Sequence, residues 1–376
     1  MASDLIVTAL LVLALVWTVY PGAMWLLGVC RRRRQWVPDA VRGSASVVIA
    51  TRDDPAVVSR RIANLEAHRH ELDDLEIIVA VDSKGPIESE RYRQALAGRA
   101  VVVDGDAPGG KAVTLNAGVR AATHEIIIFT DSNQEFLADV LAGLVHAVRQ
   151  PGIGAATGRI ALENNRRSLL LMAFWTYESW LRKIESTVDS IVGVTGAIYA
   201  LRKALWEPLP AGLINDDVYV ALVVAQQGAR VVTCETAFAV DRRRFTAREE
   251  FRRKVRTLTG VLQLCVLRPS ILNPLKNRLW VQFVFHKLLR FSTPYWLLLA
   301  ALGMVFAYPL QCAAIALAAV IASAVVAVAS PSSSLLSRIV RQAGWSALLL
   351  SAPFVATVNG LRGRWNVWDT SARGTK

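Results

Sequence analysis

Apolar positions along this chain fall into two kinds of run, long ones at its ends and short ones between them. Leu5 to Val29 is almost continuously apolar, long enough to cross a hydrocarbon core of about 30 Å. A second apolar region holds Ser292 to Tyr308 and Gln311 to Ser330, with Pro309 at the turn, and then Trp345 to Leu361. Between the last two runs, Ser332 to Gln342 is polar and reads as a loop carrying Arg338 and Arg341. Upstream, Leu272 to Arg290 sets Trp280, Phe283, Val284 and Leu288 at helical spacing among Lys276, Arg278, Lys287 and Arg290. That pattern predicts a helix lying in the membrane interface or an amphipathic core helix, two readings that periodicity does not separate.

The middle of the chain alternates. β-Branched runs at Ser46 to Ala50, Glu76 to Val81, Val101 to Val103 and Glu125 to Thr130 read as strands. Pro55 to His68, Ser89 to Ala97, Lys111 to Ala122 and Glu135 to Val148 read as helices. Strand and helix in this order predict an α/β fold, an open and mostly parallel sheet with helices on both faces. Such sheets bind ligands beyond the carboxyl ends of their strands. Those ends are acidic here: Thr51-Arg52-Asp53-Asp54, Asp82-Ser83 and Asp131-Ser132-Asn133. A single Asp at such a place is usually a cap or turn residue. Three strand ends sharing the pattern suit a nucleotide held by base and ribose, with a divalent metal on its phosphates.

Charge fixes an expected topology. Asp4 precedes the first apolar run and Arg31 to Arg34 follow it, which places the N-terminus outside and residue 31 onward in the cytoplasm. The expected organisation is an N-terminal transmembrane helix over 1–30, a cytoplasmic α/β domain over 31–262, an interfacial amphipathic region over 263–291 and a transmembrane region with tail over 292–376. A multi-pass protein of the cell inner membrane follows. Four full spans would leave Arg362 and Arg364 outside, against the same rule. Past the last apolar run only a short tail remains, so control by a cyclic dinucleotide through a domain of this chain is not expected.

The formal net charge of +13 raises the question of nucleic acid. Arg31 to Arg34, Arg242 to Arg244 and Arg252 to Lys254 lie near apolar segments, however, where basic clusters favour the anionic leaflet. No recognition motif or stacking series accompanies them, so no nucleic-acid partner is expected. Cys30, Cys234, Cys265 and Cys312 are too scattered for a disulfide framework or a zinc site. Almost no charge interrupts the apolar runs, which argues against a transporter. Neither Gly-x-Gly-x-x-Gly nor a Walker sequence is present. Gly109-Gly110-Lys111 before a helix offers N–H groups and an ammonium to an anion, a weak signal alone.

Four blocks together resemble the membrane-bound family 2 glycosyltransferases, the branch of cellulose, chitin and hyaluronan synthase-like enzymes. They are Val47 to Asp53, Glu76 to Asp82, Gly110-Lys111-Ala112 through Asn116-Ala117-Gly118 with Ile126 to Asn133, and Gly196 to Arg202 with Asn215-Asp216-Asp217. The resemblance implies a GT-A type domain from about Ala45 to Gly260 and an inverting transfer of a hexose or N-acetylhexosamine from a UDP-sugar, with Mg2+ or Mn2+. It assigns Asp53, Asp82, Lys111, Asp131, Arg253 and Arg256 to the nucleotide, and Asp131 and Asn133 to the metal. Asp217 is the expected base, with Asp216 the second candidate. Trp175, Tyr177, Glu178 and Gly196 fall to the acceptor, although the aromatics equally suit an interfacial anchor. Two departures stand out: Asn133 replaces the second carboxylate of Asp-x-Asp, and Arg253 and Thr257 replace the Gln and Trp of Gln-x-x-Arg-Trp. Three readings stay open: extension of a polysaccharide, transfer of one sugar to a lipid, and a non-catalytic sugar-binding assembly subunit. Membrane lipids are expected partners, and a homo-oligomer is left open.

Overall fold

The computed structural model describes residues 2–31, 42–161, 169–241, 243, 246–315, 318 and 335–366. The chain divides into two units, one of Met1–Ala23, Phe245–Leu262 and Val284–Lys376, the other of Met24–Arg244 and Gln263–Phe283.

The larger unit is an α/β domain built on strands β1 (Ala45–Thr51), β2 (Leu75–Val81), β3 (Val101–Asp104), β4 (Ile126–Thr130), β5 (Gln134–Phe136), β6 (Ile153–Ala161), β7 (Tyr199–Arg202) and β8 (Arg230–Asp241). They form one sheet in the order β3-β2-β1-β4-β7-β6-β8-β5. β5 and β7 run against the other six. The runs Val47-Val48-Ile49 and Ile77-Ile78-Val79 are buried on both faces, the signature of a sheet covered by helices on each side. The reversal of β7 matters for function. It brings the start of that strand to the edge where β1, β2, β4 and β8 end.

Helices α3 (Pro55–Ala67), α4 (Ser89–Leu96), α5 (Lys111–Ala121), α6 (Val140–Arg149), α7 (Leu169–Val188) and α8 (Asp216–Gln226) belong to the same unit. Local chemistry sets their ends. Asp54 caps α3 by accepting from the Ala56 N–H at 2.8 Å, with Pro55 at the first helical position. Glu71 accepts from the N–H groups of Leu141 and Ala142 at 2.8 and 3.2 Å and so caps α6 from a distance. Gly118 lets α5 close on the sheet, since a Cβ there would stand 2.5 Å from a Val48 methyl.

The predicted helix Glu135 to Val148 is corrected at its start. Gln134–Phe136 is a strand, paired antiparallel with Ala239 to Asp241, and the helix begins at Val140. The pairing partner lies a hundred residues downstream, out of reach of any local pattern. The expected helix over 272–290 is helical only from Trp280, because Asn273 and Asn277 turn the backbone by accepting from the N–H groups of Leu275 and Leu279. Its buried positions are Leu279, Gln282, Phe283 and His286, while Trp280, Val284 and Leu288 are not fully buried.

In the other unit, α1 (Ala2–Ala14) and, through a π-helical turn at Leu15–Val19, α2 (Tyr20–Cys30) run as one helix, of which Met24 onward belongs to the larger unit. That helix is long and apolar enough to cross a membrane, and Leu10, Leu11, Trp25 and Val29 stand exposed on it. Trp280–Leu289 and Thr293–Ala307 (the latter α11; α9 is Ala247–Leu267 and α10 Trp280–Gln282) pass the same test together, bent by 53°. Among the described residues the structure therefore holds one such helix, or two if the bent pair is one span. α1 packs on α11, where a Cβ at Gly303 would lie 2.7 Å from Ile6. Tyr295 on α11 meets Thr357 of the helix Leu335–Leu361 through their hydroxyls at 2.5 Å. That helix begins ten residues before the expected Trp345, so the segment read as a polar loop is helical from Leu335; Leu335, Leu336, Arg338 and Arg341 are good helix formers. The expected span Gln311 to Ser330 lies mostly outside the described residues, as do Arg32 to Arg34.

Candidate active site

The acidic strand ends converge within the larger unit. Lys111, at the head of α5, places its ammonium 3.2 Å from Asp131 Oδ1 and 3.3 Å from Asp216 Oδ2. Burial alone would discharge this lysine, yet Asp131, Asp216 and Asp217 outweigh it and hold the ammonium above its ordinary pKa. Asp131 ends β4, and Asp216 and Asp217 open α8, so one cation joins two blocks that the sequence separates by more than eighty residues. Gly196 lies between them: a Cβ there would stand 3.7 Å from Lys111 Nζ and 3.8 Å from Asp217 Cβ. Asp217 Oδ1 accepts from the Val218 N–H at 2.9 Å, and the Asp217 carbonyl accepts from the Val194 N–H.

The strand-end residues on β1 and β2 form the adjoining wall. Asp82 is buried and accepts from the N–H groups of Gly110 at 2.7 Å and Lys84 at 3.0 Å. Gly109 and Gly110 have φ of +80° and +103°, a backbone that glycine adopts without strain. Asn133 donates from Nδ2 to Asp53 Oδ2 at 2.9 Å, and Ser132 donates to Thr51 Oγ1 at 2.9 Å. The bond to Asp53 orients the Asn133 amide with Oδ1 left as acceptor.

These residues fit a hard divalent cation, which takes oxygen donors. Asp131 supplies a carboxylate and Asn133 an amide oxygen, and the carboxylates of Asp131, Asp216 and Asp217 lie around the Lys111 ammonium. Among the described residues no group of three His, Cys, Asp or Glu forms a complete metal cage, so a ligand would have to complete the coordination.

α7 carries Trp175, Tyr177, Glu178 and Trp180. Both tryptophans are exposed, and the Tyr177 and Trp180 rings lie 5.8 Å apart. One turn on, Arg182 donates to the Gly193 carbonyl at 2.8 Å and to Thr195 Oγ1 at 3.3 Å. Burial lowers its pKa, against the pull of Glu178, Asp217 and Glu185. Glu178 thus shares a guanidinium's surroundings with Asp217. The far end of α7 meets the end of α2: Gly28 faces Ile184 and Val188, and Arg31 donates to the Val188 carbonyl. Arg253 and Arg256 lie on α9 within the other unit, Arg253 paired with Glu250 at 3.4 Å.

Three residues here were not singled out from sequence. Arg243, within the basic cluster Arg242 to Arg244, grips Asp241 at the end of β8 with bonds of 3.0 and 2.8 Å. Burial opposes its charge, but Asp241, Asp131 and Asp53 hold it raised. Arg61, only 2% exposed, donates to Thr130 Oγ1 at 3.0 Å and covers the Phe136 ring at 4.0 Å. Burial pulls its pKa down to about 9, against Asp131 and Glu135. Its signal was its place among Val58, Ile62 and Leu65 on the buried face of α3. The third, Tyr199, stacks on Phe129 with centroids 4.6 Å apart, and its signal was only its position in the Gly196 to Arg202 block.

Comparison with known proteins agrees with this geometry. Residues 126–329 match Glycosyl transferase family group 2, and residues 46–205 match Glycosyl transferase family 2. No curated protein sequence matches the chain. The mannosyltransferase PcManGT from Pyrobaculum calidifontis, in complex with GDP-Man and Mn2+, is similar in structure with a TM-score of 0.68 at 19% identity, over 97% of this chain and 99% of that one. Glucosyl-3-phosphoglycerate synthase from Mycobacterium tuberculosis, with Mg2+ and UDP, reaches a TM-score of 0.40 at 15% identity, over 65% of this chain and 82% of that one. The first likeness shows a GT-A-like fold with a mostly parallel sheet.

Proposed function

The chain belongs to glycosyl transferase family group 2 and is a glycosyltransferase, and from that premise we propose that it inverts the anomeric centre of a nucleoside diphosphate sugar as it transfers a hexose or N-acetylhexosamine at a membrane. One observation carries this reading: Lys111 joins Asp131, at the expected donor end, to Asp216 beside Asp217, at the expected acceptor end. A single sugar ring then lies within reach of both.

Asp217 acts as the base. An acceptor hydroxyl has a pKa far above neutral and needs a positioned carboxylate to take its proton as it attacks. Lys111 ties Asp131 to Asp216 and so holds the head of α8 against the end of β4. Asp53 and Asp82 hold the base and ribose, and Arg253 and Arg256 are assigned to the diphosphate from their motif. Asp131 and Asn133 would hold Mg2+ or Mn2+, which supplies charge neutralisation at the departing diphosphate. PcManGT is seen with GDP-Man and Mn2+, which supports metal use; our reading of this chain's donor remains a UDP-sugar, from the resemblance of the Asp82 block to the uracil-contacting strand.

For the acceptor, the resemblance to cellulose and chitin synthases points to a polysaccharide made at the cytoplasmic face of a multi-pass enzyme. A second reading, one sugar placed on a lipid, is favoured by two features. Thr257, exposed on α9, stands where processive enzymes carry Trp. In addition, the C-terminal end of α7 packs at Gly28 of the apolar N-terminal helix, and Arg182 on the same helix lies in the field of Asp217. Trp175, Tyr177 and Glu178, on the turns of α7 before Arg182, and Gly196 are assigned to the acceptor. The test is to incubate the purified full-length protein with a panel of UDP- and GDP-sugars, Mn2+ or Mg2+, and membrane lipids. A labelled product that migrates as a glycolipid on a thin-layer plate supports the second reading, and a gel-retained polymer the first. Absence of nucleotide release with every donor refutes both.

A further inference from the structure

Tyr199 is fully buried, and its hydroxyl forms no hydrogen bond. Its ring is well explained: it pairs with Phe129 across β4 and β7, and Phe129 lies between it and Trp206, whose centroid is 5.2 Å from that of Phe129. A phenylalanine would fill this stack equally. Unpartnered, the hydroxyl is a net cost, because a buried donor in that state loses its hydration and gains nothing.

A second buried atom without a hydrogen bond is Asp216 Oδ2, which has the Lys111 ammonium 3.3 Å away as its ion-pair partner. Tyr199 pairs with Phe129 in β4, and Asp131 follows the end of that strand. Lys111 carries the link from Asp131 to Asp216. Gly196, three residues before Tyr199, faces both Lys111 and Asp217. The charges agree: burial raises the Tyr199 pKa well above its ordinary value, and Asp216, Asp217 and Asp131 raise it further, so the phenol stays a donor.

We propose that Tyr199 is a positioning residue whose hydroxyl donates to Asp216 Oδ2, directly after a small shift or through one buried water, and so holds the Asp216-Asp217 pair at the head of α8 in the orientation the base needs. Unmatched polar atoms concentrate at functional sites, where they cost stability that the rest of the fold supplies. The proposal rests on the reading of Asp217 as base.

Tyr199→Phe in the full-length protein separates function from structure. We expect its Tm to fall by about 2–6 °C, the loss of one buried hydrogen bond to a charged group. The Kd for UDP with Mn2+ should stay within about twofold, KM should be unchanged, and kcat should fall about 10- to 100-fold. In the Tyr199→Phe, Asp216→Asn double variant the loss should not exceed that of Asp216→Asn alone. Wild-type kcat in Tyr199→Phe, with transfer abolished in Asp217→Asn, overturns this proposal alone. A UDP Kd that weakens in proportion to the loss of kcat assigns the hydroxyl to the fold and also overturns it. Turnover that persists in Asp217→Asn overturns the base assignment and this proposal together.

Discussion

Replacing Asn133 by Asp would restore the family's second carboxylate, and the structure predicts that this repair harms the metal-free protein. Asn133 Nδ2 donates to Asp53 Oδ2 at 2.9 Å, so an aspartate would set two carboxylates against each other. Two like charges relaxed to about 4 Å repel by about 4 kcal/mol at an effective dielectric of about 20. Partial exposure and salt reduce this to about 1–2 kcal/mol. Losing a hydrogen bond to a charged group adds about 1.5–3 kcal/mol, giving a destabilisation of about 3–5 kcal/mol. In a domain of this size each kcal/mol moves Tm by about 2–4 °C, so Asn133→Asp should melt about 6–20 °C below wild type in EDTA. Saturating Mn2+ should restore most of the loss, since the cation would stand between the carboxylates, and the variant should bind Mn2+ more tightly than wild type. Thermal melts of both proteins, with EDTA and with Mn2+, make the comparison. Equal Tm values in EDTA would refute the Asn133–Asp53 contact, and a deficit that Mn2+ leaves untouched would refute the metal assignment.

Other consequences are as specific. Asn116 holds the approach to Asn215-Asp216-Asp217 by bonding both backbone groups of Leu209 at 2.9 and 2.8 Å; Asn116→Leu leaves two buried backbone groups unmatched and should cost about 2–5 kcal/mol in urea unfolding. Arg243→Met, which removes a cation in the field of Asp131 and Asp53, should weaken UDP binding by calorimetry about 5- to 50-fold and lower its salt dependence, whereas an unchanged Kd would return Arg243 to a purely structural role. For pH, burial would raise the Glu76 pKa, but bonds from Ser46 and Thr123 and the nearby His124 hold it below its ordinary value. A depressed carboxylate gives stability that is full above the unfolded pKa and is lost as pH falls through the folded one. Tm should therefore decline below about pH 4.5, and Glu76→Gln should flatten that decline.

The parallel half of the sheet is plain in the sequence because β1, β2 and β4 are unbroken β-branched runs ending in carboxylates. The other half is not. β5 is three residues, two of them polar, and exists only because Ala239 to Asp241 pairs with it. β8 carries Thr233, Glu235 and Thr236 among its apolar positions, since only part of it is covered. Site residues divide the same way. Asp53, Asp82, Lys111, Asp131 and Asp217 follow strand or helix boundaries that short patterns reveal. Arg243 was hidden in a run of three arginines that resembles a membrane-facing cluster, and its partner Asp241 becomes visible only once β8 is extended to that residue. Arg61 and Tyr199 owe their depth to pairing and packing across the sheet, which no local window contains.

The central claim is that Asp217 removes the acceptor's proton in a transfer drawn from a nucleoside diphosphate sugar. Its most direct test is the full-length Asp217→Asn variant beside wild type, both in lipid nanodiscs, with UDP release and UDP affinity measured on the same preparations. The account predicts metal-dependent release by wild type, a loss of at least about a thousandfold in the variant, within the range of general-base removal combined with lost charge, and a UDP Kd that is unchanged. A variant that turns over at the wild-type rate would contradict it.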